Sequence, residues 1–169
     1  VFQGRTLDLD LSIGQNLAYH AALHGMSGRE ARARAREILD GSELLDRLRD
    51  KGRALSGGQL RRVEIVRAFM HRPRLILLDE PTVGLDIASR AEIIRTVRRL
   101  VREEGVSVLW ATHLIDEIED RDRVVVLHRG QVLAEGGCRD VIEAEGAGSI
   151  GEAFARLTAL APVQAARAP

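Results

Sequence analysis

The sequence predicts an α/β fold in which helices pack against a core of parallel β-strands. Two short apolar runs, at residues 75–78 and 106–111, are continuous rather than alternating, which is typical of strands buried in a parallel sheet. Longer stretches before and between them place apolar residues at helical spacing. A chain of 169 residues suggests one domain, large enough to bury a sizeable core.

The composition argues against a nucleic-acid surface, an internal disulfide and a membrane-spanning segment. The chain has 25 basic and 25 acidic residues, and this balance argues against a dedicated nucleic-acid surface. Cys138 is the only cysteine, so no internal disulfide can form and a reducing compartment is expected. No apolar run approaches the length of a membrane span. We therefore expect any membrane role to come through a partner.

Two serines are predicted to begin the first helices, because each is followed three residues later by the side chain that completes a capping box. These helices are expected from Ser12, with Gln15, to Gly25 and from Ser27, with Glu30, to about Asp40. The arginine-rich run of the second helix lacks aromatic residues and predicts a solvated face. A third, short helix is expected near residues 42–49.

His20 and His24 lie one helical turn apart and could in principle bind a metal ion. The sequence shows no third ligand beside them, so it argues against a metal site here.

The first candidate site is the segment Ser56-Gly57-Gly58-Gln59. It precedes an amphipathic run and again has the form of a capping box, so a helix is expected to begin at Ser56. Glycines allow a ligand to approach the backbone, and the amides at a helix N-terminus favour an anion. An ordinary capped helix is the alternative.

The second candidate site is the pair Asp79-Glu80, which ends the first apolar run. The carboxyl edge of a parallel sheet is where open α/β folds bind ligands. Neighbouring strand residues point to opposite faces, so the two carboxylates are expected to have different roles. In nucleotide-binding folds the acidic residue that follows a hydrophobic strand binds Mg²⁺, and we assign Asp79 to that role. We assign Glu80 to polarising the water that attacks the phosphate. A solvated acidic strand end is the alternative.

The remaining elements follow in order. Asp86 or Ser89 is expected to cap a helix that ends near Glu104, before Gly105, and the second strand ends at Thr112-His113. Further along the chain we expect a short acidic helix at 114–120, strands at 123–128 and 131–135 around a tight turn, helices at 139–145 and 150–160, and a disordered tail at 161–169.

These motifs resemble, in order and spacing, those of an ATP-binding cassette (ABC) ATPase. Leu55–Gln59 is similar to the signature motif, Leu75–Glu80 to Walker B, Gly84-Leu85-Asp86 to the D-loop and Thr112-His113 to the switch histidine. The resemblance covers residues 1–160 and implies a P-loop NTPase-type (RecA-like) core whose N-terminal part is missing. It also implies a helical subdomain at about 5–72 and the C-terminal part of the α/β core at 73–160.

The resemblance implies roles for single residues and two cofactors, ATP and Mg²⁺. Gln3 would be the Q-loop glutamine that reaches Mg²⁺ and water, although the Gly4-Arg5 that follows departs from the usual pattern. In the family, the signature segment contacts the γ-phosphate held by a second subunit, and the D-loop aspartate reaches across the same interface. His113 would orient the water as the switch residue. The signature residues are Ser56, Gly57, Gly58 and Gln59, and the D-loop aspartate is Asp86.

The chain contains no G-x-x-x-x-G-K-[ST] phosphate-binding loop, and its only lysine is Lys51. We therefore expect these residues to be the C-terminal part of a longer protein whose preceding portion carries the loop, and the chain alone to be inactive. A complete but degenerate module is the alternative.

The expected function is the ATP-hydrolysing subunit of a bacterial ABC transporter, peripheral on the cytoplasmic face of the membrane. Expected partners are transmembrane permease subunits and a second ATPase subunit in a homodimer, with no nucleic acid. Glu64 and the stretch 82–86 favour the exporter type. The alternatives are a soluble cassette ATPase that acts on DNA or the ribosome, and a non-catalytic interaction module.

Overall fold

The computed structural model describes residues 6–160, so the predicted roles of Gln3 and of the tail at 161–169 lie outside the described residues. The chain divides into two compact units, one up to Thr112 and one from His113. The expected boundary near residue 72 lies inside the first unit and stays a prediction.

The first unit contains four α-helices and two parallel strands among its described residues. In chain order these are α1 (Ile13–Leu23), α2 (Gly28–Leu39), a 3₁₀ turn (Gly52–Ala54), α3 (Gly57–Phe69), β1 (Leu75–Asp79), α4 (Ile87–Glu104) and β2 (Ser107–Ala111). This alternation of parallel strands and helices confirms the α/β prediction.

Both predicted capping boxes at the N-terminal helices are present. The hydroxyl of Ser12 accepts the backbone N–H of Gln15 at 3.1 Å, and that of Ser27 accepts the backbone N–H of Glu30 at 3.3 Å. In each case the side chain of the later residue accepts the N–H of the serine in return. Local sequence therefore sets where α1 and α2 begin.

The third helix expected at residues 42–49 is wrong, because the segment forms successive turns. Its backbone bonds reach back three residues, as from Leu45 N–H to Ser42 O at 3.0 Å. Leu48 O, inside the segment, accepts Gly14 N–H at 2.9 Å, and Asp50 O, just after it, accepts Ile13 N–H at 3.0 Å. The segment thus satisfies the first-turn amides of α1 instead of forming its own helix.

Helix α3 is the centre of the first unit, and the prediction that it has one apolar face is wrong. It is buried on several sides, with Val63, Ile65 and Phe69 at most 1% exposed. Two arginines are buried with them, and Arg62 forms ion pairs with Glu43 at 3.3 Å and with Glu92 of α4. These pairs allow charged side chains to lie inside the helix cluster.

The expected solvated face of α2 is also wrong at Arg34. This side chain is 3% exposed and donates to the Phe69 carbonyl at 3.0 Å. It also pairs with Glu37 at 3.2 Å and with Glu104. Arg34 therefore links α2 to the C-terminal end of α3.

Strands β1 and β2 pair in parallel with Leu77 opposite Leu109, as the sequence predicts. Only one face of β1 is covered among the described residues, so the expectation of a fully buried strand is wrong. Ile76 and Leu78 are buried, whereas Leu75 and Leu77 are 56% and 57% exposed. Together with Leu109, at 63% exposure, they form an apolar stripe on the open face.

The prediction for α4 is confirmed at both ends. Asp86 is its N-cap, and Gly105 follows Glu104 in the left-handed conformation, with φ of 65°. The Gly105 N–H bonds Val101 O at 3.0 Å and so closes the last turn.

In its described part, up to residue 160, the second unit contains two antiparallel strands, β3 (Arg123–His128) and β4 (Gln131–Gly137), and two helices, α5 (Cys138–Ala144) and α6 (Ile150–Leu160). Positive φ angles at Arg129 and Gly130, 49° and 77°, form the expected tight turn. The acidic helix expected at 114–120 is only a 3₁₀ turn, Ile115–Glu117, closed by bonds that reach back three residues.

Cys138 is buried, and burial raises the pKa of its thiol. It therefore packs as a small apolar side chain.

Between residues 6 and 160, every helix is too short or too polar to cross a membrane.

Candidate functional site

Ser56 organises the N-terminus of α3. Its hydroxyl accepts the backbone N–H of Gln59 at 3.2 Å, and the Gln59 side chain accepts the N–H of Ser56 at 3.0 Å. The capping box is therefore confirmed. Gly57 and Gly58 supply the next amides, in the first turn, where a helix provides no acceptor of its own. This arrangement suits an anion.

The side-chain amide of Gln59 is held on both sides by the turn segment at 42–50. Arg47 donates to its oxygen at 2.9 Å, and its nitrogen donates to Glu43 at 2.9 Å. Gln59 therefore fixes the start of α3 against the neighbouring turns. Its contact with a nucleotide stays a prediction.

The two glycines after Ser56 have different surroundings. A β-carbon on Gly57 would meet no atom within 4 Å, so this position is open. A β-carbon on Gly58 would lie 2.4 Å from Ser89 Oγ, which is far inside van der Waals contact. Gly58 is therefore needed where α3 packs on the first turn of α4, while Gly57 leaves room for a ligand.

Asp86 stands immediately beside this packing contact. Its carboxylate accepts the backbone N–H of Ser89 at 2.9 Å and the Ser89 hydroxyl at 2.7 Å. These hydrogen bonds, the one from the backbone first, lower the pKa of Asp86. Ser89 thus lies against Gly58 and also donates to Asp86, the N-cap of α4. The starts of the two helices are therefore in contact through this serine.

The acidic pair lies where β1 ends. Asp79 pairs in register with Ala111, the last residue of β2, so both strands finish at one edge of the sheet. Glu80 then leaves the strand with φ of 42°, a left-handed conformation that non-glycine residues adopt infrequently. Its N–H donates to Ala111 O at 2.9 Å, and its carbonyl accepts the N–H of Val83 at 3.3 Å. These two bonds hold Glu80 in the turn that leads to Asp86.

A buried polar chain supports this turn from α3. Arg61 donates to the Pro81 carbonyl at 2.8 Å and forms an ion pair with Glu64 at 3.1 Å. Glu64 in turn accepts the backbone N–H of Thr6 at 2.6 Å and its hydroxyl at 3.2 Å. Arg61 and Glu64 are only 9% and 4% exposed. The chain therefore connects the segment near residue 6 to the turn that carries Glu80.

Sequence reasoning missed Arg61 and Thr6 as supporting residues. Arg61 has the appearance of a polar surface position, because it lies between apolar residues of a helix expected to be amphipathic. The available signal was Glu64, three residues later, which is the spacing of a helical ion pair.

Comparison with known proteins identifies the family. The family model described as "ABC transporter" matches residues 1–83. The linearmycin resistance ATP-binding protein LnrL of Bacillus subtilis is 37% identical over 141 residues, which are 83% of this chain and 45% of that protein. The energy-coupling factor transporter ATP-binding protein EcfA1 of Symbiobacterium thermophilum is 40% identical over 129 residues, 76% of this chain and 45% of that protein.

A solved structure described as the ATP-binding subunit of an ABC transporter superposes with a TM-score of 0.77 at 28% identity. The match covers 94% of this chain and 67% of that one. The chain belongs to the ABC transporter family. It spans about half the length of the curated relatives, 45% of each of the two above.

In ABC terms, the structure brings three of the predicted motifs into one unit. The predicted signature segment begins α3, the predicted Walker B carboxylates lie where β1 ends, and the predicted D-loop aspartate caps α4. The contact of Gly58 with Ser89 joins the first of these to the last. Their shared location agrees with the order of motifs in an ABC ATPase, whereas the role of each residue stays a prediction.

The predicted switch histidine, His113, belongs to the second unit. His113 is its first residue, is exposed, and follows the end of β2 by two positions. The expected role of His113 in orienting the water therefore stays a prediction, as does the role of Gln3.

Proposed function

We propose that this chain is part of the ATP-hydrolysing subunit of a bacterial ABC transporter that works as a dimer. The observation that supports it most is the ordered turn after β1, where Asp79 and Glu80 leave a parallel sheet edge beside the D-loop. In P-loop NTPases this edge binds the Mg²⁺ and the water of phosphoryl transfer.

The donor set fits this chemistry. Asp79 is an exposed carboxylate at the strand end, and carboxylate oxygens are ligands that Mg²⁺ prefers. Bound Mg²⁺ would neutralise charge on the phosphates, with Asp79 and Gln3 as its proposed protein contacts. Glu80 would accept a proton from the attacking water and His113 would orient that water.

The signature segment acts, in this proposal, on the nucleotide held by a second subunit. Ser56, Gly57 and Gly58 offer a capped helix start with an open glycine, which suits a γ-phosphate. Asp86 bonds Ser89, which lies against Gly58, and would reach the same interface. Loss of the γ-phosphate would remove these contacts and let the dimer open, which can drive membrane permease subunits.

An exporter-type role is proposed from the pattern at Glu64 and residues 82–86. It is supported by the name of LnrL, a resistance ATP-binding protein. Transport of a labelled substrate into or out of vesicles that carry the permease subunits would decide the direction.

The function is tested by expressing the complete reading frame that contains this chain and measuring ATP hydrolysis. Glu80→Gln should reduce turnover by roughly a hundredfold or more, because a positioned base contributes about 10² to 10⁴ in rate. The same variant should bind ATP and form a stable dimer in size-exclusion chromatography.

The matched control is Glu103→Gln, the same change at an exposed position of α4. It should leave hydrolysis and dimerisation unchanged. Normal turnover in Glu80→Gln would remove Glu80 from the proposed role, and absence of ATP binding by the unmodified protein would refute the function itself.

A further inference from the structure

Three of the five histidines lie together in the first unit. His20 and His24 are one turn apart at the end of α1, and His71 follows α3, just before β1. One nitrogen from each ring lies within 4.8 Å of those of the other two. The third ligand that the sequence did not reveal is thus supplied by a distant segment, and the sequence-based argument against a metal site is wrong on this point.

Two nitrogens of this cluster are buried without a hydrogen-bond partner among the described residues. They are Nε2 of His20 and Nδ1 of His71. A buried ring nitrogen ordinarily bonds a protein group or water, so an unpaired one calls for an explanation. Two such atoms in neighbouring rings that lie 5.5 Å apart, centroid to centroid, indicate a shared missing partner.

The backbone around the cluster also favours a cation. His24 is the C-cap residue of α1, and His71 directly follows the C-cap of α3, Met70. Helix C-termini carry partial negative charge on their last carbonyls, which attracts positive charge. Two such ends meet here, because the rings of His24 and His71 are stacked 3.8 Å apart.

We propose that His20, His24 and His71 form a binding site for a divalent transition-metal ion, with Zn²⁺ as the best match. Three imidazoles without a thiolate suit Zn²⁺, Cu²⁺ or Ni²⁺ and disfavour Mg²⁺ and Ca²⁺, which take oxygen ligands. The fourth position would hold water from the adjoining cleft, which Met26 and Glu30 also line.

Binding requires only a small rearrangement of side chains. A tetrahedral ion with Zn–N distances of about 2.0 Å holds its ligand nitrogens roughly 3.3 Å apart, which is closer than the largest separation of 4.8 Å here. His24 is exposed and can rotate, so its ring can leave the parallel stack on His71 and turn toward the ion. The two partly buried rings would then move least.

The charge state of the rings supports the geometry. Burial first, and then the nearby Arg67, lowers the pKa of His20 to about 4, so this ring is neutral and keeps a lone pair at neutral pH. The positive charge of Arg67 opposes the binding of a metal ion, but its guanidinium is directed to Thr6, whose carbonyl it bonds at 2.8 Å. Arg72 is paired with Glu37 at 3.1 Å. The carboxylates of Glu64 and Glu37 offset part of the positive charge of these two arginines.

A bound ion would join the end of α1 to the segment between α3 and β1. These elements belong to one packed core, and Met70 beside His71 is fully buried within it. Because the native cluster exists only in the folded chain, binding would also raise the thermal stability of this unit.

The test is titration of the metal-free 169-residue chain, made without a polyhistidine tag, with ZnCl₂ against a chromophoric zinc indicator. We expect one equivalent to bind, and Co²⁺ in its place to give the visible absorption of a tetrahedral site. His24→Ala and His71→Ala should each lower the affinity by about tenfold or more, since even loss of an outer partner costs that much. His24 is exposed, so the fold of its variant is not at stake.

His128→Ala is the matched control, because this histidine lies in the second unit on β3. It should bind Zn²⁺ as the unmodified chain does. The proposal would be overturned if Zn²⁺ did not bind stoichiometrically. It would also be overturned if His24→Ala and His71→Ala bound Zn²⁺ as tightly as the unmodified chain does. Neither result depends on ATP hydrolysis, so the site can fail while the proposed function stands.

Discussion

Gly58 lies against Ser89 so closely that a side chain on the glycine would overlap the Ser89 β-carbon, at 2.7 Å. The contact joins the start of α3 to the start of α4. It means that the starts of the two helices, the predicted signature segment and the predicted D-loop, are packed against each other at this point. Any motion of one helix start must be transmitted to the other or must open the contact.

The first prediction concerns this contact. Gly58→Ala should destabilise the chain by about 1–3 kcal/mol, because overpacking a tight site forces the neighbours apart. Gly57→Ala, where the added carbon meets open space, should leave folding nearly unchanged. Urea unfolding measures both changes. Ser89→Gly removes the clashing atoms, so it should partly rescue Gly58→Ala, and failure to do so would place the strain elsewhere.

The second prediction concerns the buried pair Arg61 and Glu64, which supports the turn that carries Glu80. Arg61→Met leaves the Glu64 carboxylate buried without its ion-pair partner and removes the bond to Pro81 O, so a loss of about 3 kcal/mol is expected. Arg139→Met breaks an exposed ion pair with Asp120 and should change unfolding little. If the two variants unfold alike, the pair does not stabilise the turn.

The third prediction follows from the cap of α4. The pKa of Asp86 is lowered by its bonds from Ser89, so its stabilisation is present above the ordinary carboxyl pKa and is lost as pH falls through the lowered one. Asp86→Asn can still accept the Ser89 N–H but carries no charge. Its stability relative to the unmodified chain should therefore improve below about pH 4. Unfolding curves of both proteins between neutral and acid pH check this, and a difference that is constant with pH would contradict it.

The fourth prediction concerns the apolar stripe on the open face of β1 and β2. Leu77 and Leu109 lie opposite each other and are both more than half exposed. Exposed apolar patches bind hydrophobic dyes and promote association. Leu77→Thr with Leu109→Thr should reduce dye fluorescence and light scattering by the isolated chain. Leu23→Thr, at an exposed position of α1, should reduce both signals less, because Leu23 lies outside the stripe.

Much of the fold could be predicted because its signals are local. Three capping boxes, at Ser12, Ser27 and Ser56, depend on side chains three residues away and were read correctly. The parallel pairing of β1 and β2 followed from two continuous apolar runs, which are typical of strands in a parallel sheet. Burial of Arg34 could not be predicted in this way, because its partners, Phe69 and Glu104, come from other elements.

The same distinction applies to the functional residues. The motif residues of the ABC family can be recognised along the chain, whereas the supports of the site are assembled by folding. Arg61 reaches Pro81, and His71 reaches His24, only because α3 and its neighbours pack together. The helix expected at residues 42–49 does not form for a related reason, since carbonyls at the end of this segment accept the first amides of α1.

The left-handed backbone of Glu80 has a consequence for laboratory evolution. Hydrogen bonds to Ala111 and from Val83 hold this residue at φ of 42°, where a glycine would be more stable by about 1 kcal/mol. A library selected only for heat resistance should therefore enrich glycine at position 80 and lose the carboxylate. A library selected for growth that requires the intact protein should retain glutamate, so the frequency of glutamate at this one position reports which pressure the library has experienced.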